Sequence, residues 1–192
     1  WKKKRYFSVR LPPAGIVFWA ATLAGIAFTA RSVLAQPPVL PIAVACALAY
    51  LALLLSGVFV LRLRMFTDAV VRGGPGATGV VLTFDDGPDP VHTREVLDIL
   101  DAHQAKATFF VIGKKAEAHR DVVEEILRRG HEVGVHGYEH DRLFALRGRK
   151  RVRADLTKAV RVLEIITGET PSLFRPPIGH ANPTIGGVAY LL

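Results

Sequence analysis

The sequence predicts an α/β domain on a parallel sheet, preceded by two membrane-spanning helices. Three observations lead there. Half of the 192 residues are hydrophobic and the mean hydropathy is +0.27, yet the formal net charge is +8, so apolar and basic residues must be segregated along the chain. Two long apolar runs occupy the first third. From residue 80 onward, short β-branched and aromatic runs alternate with amphipathic stretches of helical period, the order expected of parallel strands joined by crossover helices.

The first apolar run, residues 14–30, is rich in small residues but carries Phe18, Trp19 and Phe28; Pro12-Pro13 and Arg31 mark its limits. Crossing a bilayer takes about 20 apolar residues, so the span is expected to extend over 14–34. The second run, 42–61, is uninterrupted and ends at Arg62 and Arg64, which predicts a span over 39–61. Only a Gln36-Pro37-Pro38 turn separates the two, which argues against a cleaved signal peptide. Lys2, Lys3, Lys4, Arg5 and Arg10 precede the first run, Arg31 lies between the runs, and Arg62, Arg64 and Arg72 follow the second. Positive residues favour the cytoplasm, so this count places both ends of the hairpin inside. Cys46 does not decide the side; it lies within the second run and reads as a small apolar residue.

Gly73, Gly74, Pro75 and Gly76 read as a flexible linker. A buried strand is expected over 80–84, ended by Gly87-Pro88. Helix follows over 93–103, with Val96, Leu97 and Leu100 on one face, then a strand over 107–112. A second helix is expected over 118–129, closed by Gly130, and a strand over 132–135. Residues 151–167 form the longest helix, with Leu156, Val160, Leu163 and Ile166 as its core stripe and Gly168 as its stop. A short apolar segment, 172–174, precedes a last helix with Asn182 as N-cap and Pro183 at its first position. Such an order implies a parallel sheet closing into a barrel, with the active site at the carboxyl ends of the strands.

Those strand ends carry the chemistry. Asp85 and Asp86 end the first strand, and side chains in a regular strand alternate, so both reach one site only if the strand breaks there. Two adjacent carboxylates also need a positive neighbour, either a metal ion or a basic side chain. His136 and His140 follow the strand at 132–135; four residues apart, they lie on one face if the segment makes a helical turn, and can then share one ion. Arg175-Pro176-Pro177-Ile178-Gly179-His180 follows the third apolar segment, with prolines stiffening the backbone beside a fixed cation.

In this order the three motifs resemble those of the polysaccharide deacetylase, or NodB-like, family. Thr-Phe-Asp-Asp-Gly-Pro is matched in full at 83–88 and Arg-x-Pro-x-Gly at 175–179. His-Ser/Thr-x-x-His is matched at 136–140 except that Gly137 replaces the hydroxyl residue. The resemblance implies a distorted seven-stranded (β/α) barrel, present here in part, and a layout of membrane anchor 1–72, linker 73–78 and deacetylase domain 79–192. It implies that Asp86, His136 and His140 hold one divalent ion, zinc first, with cobalt, nickel or manganese as the other candidates. Asp85 would be the general base as water attacks an N-acetyl carbonyl, Arg175 would pair with Asp85, and a backbone N–H near Ile178 would stabilise the oxyanion. Pro177, Gly179 and His180 would contact the substrate, an N-acetylated glycan polymer or a lipid-linked amino sugar.

Many members of the family act on cell-wall polymers outside the membrane, against the charge count. The family's Asp-Trp region and its Leu-x-His motif, which carries the general acid, do not occur in this chain. With Trp1 at its start and Met65 as its only methionine, the chain is expected to be a piece of a longer protein.

His92, His103, His119 and His131 read as solvated residues of turns and polar helix faces. The basic run at 147–153 reads as a solvated helix start or, beside a bilayer, as a contact for anionic headgroups or a substrate diphosphate. One short cluster without interleaved aromatics argues against nucleic acid. A glycan-binding pseudoenzyme is the alternative function, and the intact Asp and His pairs weigh against it. Two histidines and a carboxylate also occur in iron oxygenases, whose His-x-Asp spacing and all-β scaffold this sequence lacks.

Overall fold

The computed structural model describes residues 12–35, 37–38, 40–67, 69–71, 73–74, 76–180 and 182–191. The predicted basic cluster at Lys2, Lys3, Lys4, Arg5 and Arg10, together with Gln36, Arg72 and Pro75, lies outside them. The chain forms two compact units, Trp1–Val71 and Arg72–Leu192.

The first unit contains α1 (Pro13–Leu34) and α2 (Leu40–Phe59), with Pro at the first position of α1, where its missing N–H costs nothing. α1 continues through Arg31 to the length expected of a span. With mean hydropathies of 1.6 and 2.4, both helices are long and apolar enough to cross a membrane. They meet through a Thr22 Oγ1 to Tyr50 Oη contact of 3.0 Å and a stacked Phe18–Tyr50 pair. Phe66 packs edge-on against Phe18 from the chain that follows α2. Gly57 is required there, since a Cβ would collide with Met65 Sδ and the Phe66 ring.

The second unit is built on parallel strands in the order β1 (Leu82–Gly87), β2 (Ala107–Val111), β3 (Glu132–Val135). β2 is central and buried along its whole length, as its unbroken apolar run predicts. Strand alternation sends Phe109 to the helix side, where it stacks on Phe84 at 5.1 Å, and Phe110 to the other face. The helices are α3 (His92–Ala102), α4 (Gly113–Ala118), α5 (Arg120–Arg128), α6 (Arg149–Thr167) and α7 (Pro183–Leu191). Leu97, Val111, Ile126, Leu156, Leu163 and Ile185 form the core, each fully buried side chain contributing about 1.5–3 kcal/mol. Gly168 closes α6 in the left-handed conformation, and Asn182 caps α7 through Ile185 N–H at 2.8 Å.

Several expectations need correction. The strand expected at 80–84 runs from 82 to 87 instead; Val80 and Val81 are 89% and 81% exposed because nothing described covers that edge. The helix expected over 118–129 is α5, Arg120–Arg128, and a short helix before it, α4, was not expected because Gly113–Ala118 has no apolar stripe to announce it. Segment 172–174 is a single parallel bridge, Val135 to Phe174, rather than a strand. His131 is buried, not solvated: Nδ1 accepts the Ala107 amide at 3.3 Å, and the ring lies edge-on to Phe109.

Candidate metal centre

The break in β1 falls on the carboxylate pair itself. Asp85 pairs with Phe110 and Gly87 with Val111, so the register shifts across Asp86, whose φ is +67°. This bulge brings two successive side chains to one cavity, and the Lys115 ammonium donates to the Asp86 carbonyl at 2.8 Å.

His136 is set by the end of β3. Its amide donates to the Val111 carbonyl at 2.9 Å, and its Nδ1 lies 2.8 Å from the Arg175 carbonyl. A carbonyl only accepts, so Nδ1 carries the proton and Nε2 offers a lone pair. That nitrogen is 3.3 Å from Asp86 Oδ1. The expected helical turn from 136 to 140 is absent. Gly137 at φ +79° and His140 at φ +55° fold the loop back, which puts the imidazole centroids 5.2 Å apart and His140 Nε2 at 3.0 Å from Asp86 Oδ1. One ligand atom from each of Asp86, His136 and His140 lies within 4.8 Å of the other two. Two imidazole nitrogens and one carboxylate oxygen, with one tautomer already locked, suit a divalent transition metal and leave coordination positions for other ligands.

Arg175 is pinned by its amide to the Val135 carbonyl at 2.9 Å. Its Nη1 donates to Asp85 Oδ1 at 2.6 Å and to Thr83 Oγ1 at 3.0 Å, while the guanidinium lies 4.1 Å over the Phe110 ring. Sequence reading missed Thr83 and Phe110 as partners, because both look like ordinary strand residues. Only their alternation relative to Asp85 and Phe109 pointed to the site face.

Asp85, Asp86, His136, His140, Arg175, Ile178 and Gly179 line a cavity of about 370 Å³. Ile178 has φ +62°, a conformation costly for a β-branched residue and kept where the surroundings over-determine it. Of the other residues expected to touch substrate, Pro177 is buried beneath Gly137 and His180 is half-buried; neither belongs to that lining.

An α/β unit that gathers carboxylates, imidazoles and an arginine in one cavity beside β1 and β3 defines a candidate metallohydrolase, and comparison makes the class specific. A family model described as polysaccharide deacetylase matches residues 72–191. The chain therefore belongs to the polysaccharide deacetylase family. It is 44% identical over 104 residues to a chitooligosaccharide deacetylase of Sinorhizobium fredii, covering 54% of this chain and 48% of that protein. Peptidoglycan deacetylase PdaC from Bacillus subtilis has a similar structure, with TM-score 0.56 and 32% identity over 61% of this chain and 57% of that one. A family 4 acetyl xylan esterase from Clostridium thermocellum, solved with a cobalt ion, superposes with TM-score 0.51 and 35% identity over 55% and 51% of the two chains. The chain spans about half the length of the curated relatives it matches.

Proposed function

We propose that the protein is a metal-dependent carbohydrate N-deacetylase that hydrolyses the N-acetyl groups of an amino-sugar glycan. The convergence of Asp86, His136 and His140 beside the Asp85–Arg175 pair carries this reading. A divalent ion held by those three residues, zinc first, would polarise the acyl carbonyl and make water more acidic. Asp85, oriented by Arg175 through a charge-assisted hydrogen bond, takes the proton from the attacking water. The Ile178 backbone N–H donates to the oxygen that gains charge as the new C–O bond forms. The C–N bond then breaks as the leaving nitrogen takes up the proton that Asp85 removed from water, giving acetate and a free amino sugar and returning Asp85 to its ionised form. Gly179, in the cavity lining, contacts the sugar.

Names of the relatives support a glycan polymer as substrate, and the two apolar helices support action at a membrane. The charge count around the hairpin favours a cytoplasmic site and hence a lipid-linked or nascent amino sugar. Arg149, Lys150, Arg151 and Arg153 stand exposed at the head of α6, available to anionic lipid headgroups, whereas Arg147 is paired with Asp141.

Acetate release from N-acetylglucosamine oligomers by the full chain, before and after chelation and zinc return, tests the activity. Asp86→Ala and His140→Ala are expected to lose metal and turnover together; full metal occupancy in either purified variant would overturn the ligand assignment. Reporters active only outside the cytoplasm, fused after Pro37 and after Gly76, test the side. A signal after Gly76 would sink the cytoplasmic reading.

A further inference from the structure

The loop that carries His140 has its backbone hydrogen bonds closed from two sides. The carbonyls of Gly137 and Tyr138 accept the amides of Gly113 and Lys114 at the head of α4, at 2.9 and 3.1 Å. The amides of Tyr138 and Glu139 donate to one carboxylate, that of Asp155 on α6, at 2.8 Å to Oδ2 and 3.2 Å to Oδ1. A loop has no ladder to satisfy its donors, and a half-buried carboxylate facing two successive amides supplies charge-assisted bonds in its place.

The two histidines depend on this clamp to different degrees. His136 is held by the strand end, through the Val111 and Arg175 carbonyls. His140 follows directly from the clamped amides, in the left-handed conformation, so its ring is placed by the path of the loop. Gly137 fits the same arrangement: a Cβ there would lie 3.3 Å from Asp155 Oδ2 and 3.3 Å from Pro177 Cγ, at a φ of +79°. The bare α-carbon lets the carboxylate come in close beneath the loop.

We propose that Asp155 is a positioning residue for the candidate metal centre, fixing His140 relative to Asp86 and His136 by holding the amides of Tyr138 and Glu139. The proposal rests on reading those three side chains as ligands of one ion. Loss of such a support typically weakens metal binding about 10- to 100-fold.

The test is cobalt titration of the full chain in detergent, with the visible spectrum of bound cobalt and the unfolding midpoint of the metal-free chain recorded alongside. Asp155→Asn keeps the shape but replaces one acceptor with a donor. It is expected to weaken cobalt about 10- to 100-fold and alter its spectrum, with little change in the metal-free midpoint. Cobalt affinity within threefold of wild type and an unchanged spectrum would overturn the role of Asp155 while leaving the metal centre intact; a wild-type chain that binds no cobalt overturns both. Should the variant not fold, amide exchange on the metal-free wild type decides. Protected Tyr138 and Glu139 amides are expected, and exchange as fast as in open loop would defeat the proposal.

Discussion

The two units answer one question, where apolar side chains go, in opposite ways. α6 alternates its faces: Val152, Leu156, Ala159 and Leu163 are buried while Arg153, Lys158 and Arg161 are exposed, so it is a helix built for water on one side. α2 has no such sides, and Ile42, Leu48, Leu51 and Leu55 are all exposed on a helix without a charged residue. Such a surface is stable only where the surroundings are themselves apolar. The two patterns separate tasks. Charged groups can be brought together only in the unit that folds around its own core.

Substitutions that touch one unit and spare the other test that separation. The largest expected effect is on chemistry: Asp85→Asn should keep bound metal and lose about 10² to 10⁴ in kcat, or roughly 3–5 kcal/mol of barrier. Leu48→Ala, in α2, should leave kcat unchanged in the same assay. Near wild-type turnover in Asp85→Asn would show that Asp85 is not the base, and a loss in Leu48→Ala would couple the units.

Next in size is packing. Leu163 of α6 is fully buried in the core, so Leu163→Ala should cost about 2–5 kcal/mol in denaturant unfolding of the α/β unit. Leu48→Ala removes a side chain that faces outward, leaves no cavity inside the protein, and should shift the same transition by a few tenths of a kcal/mol. Equal costs would mean that α2 is a core helix and that the contrast between the units is false.

Periodicity is why this contrast was legible in sequence. The stripes on α3 and α6, the stop at Gly168 and the cap at Asn182 all followed local rules, and the Asp85-Asp86 pair fell at the end of β1 because Gly87 and Pro88 force the strand to stop there. What was missed depends on contacts distant in sequence. Val80 and Val81 have the composition of a buried strand, yet composition carries no information on whether a neighbour covers them. His140 was expected on a helical turn, whereas the loop is shaped by Gly113, Asp155 and Pro177. Nothing in the sequence nearby reports any of them.

His131 gives a pH test confined to the α/β unit. Burial, reinforced by the nearby Lys106 charge, holds its pKa below the ordinary 6.5. Below about pH 6.5 the unfolded chain therefore takes up a proton that the folded chain declines, so this site makes stability fall as pH drops towards the lowered pKa and level off beneath it. His131→Asn can still accept the Ala107 amide but does not titrate. The midpoint difference between wild type and this variant should shrink as the pH falls from 7.5 to 5. A difference independent of pH would mean that His131 titrates alike in both states.

The smallest effect belongs to the ion network on the outer helices. Arg129 reaches Asp98, Asp101 and Glu125, and Arg94 reaches Asp121 and Glu125, which lowers the pKa of Glu125 chiefly through its bond from Arg129. The outer members, Asp98, Asp101 and Asp121, are largely solvated, and exposed pairs gain little once screening and side-chain ordering are counted. Raising salt from 0.05 to 1 M should therefore lower the midpoint of the α/β unit by only about a few degrees, with Arg129→Lys showing most of that loss already at low salt. The polar face of α5 is there to meet water rather than to hold the fold, the reverse of the Leu163 site. A drop of tens of degrees in high salt would place the network among the main supports of the unit and refute that division.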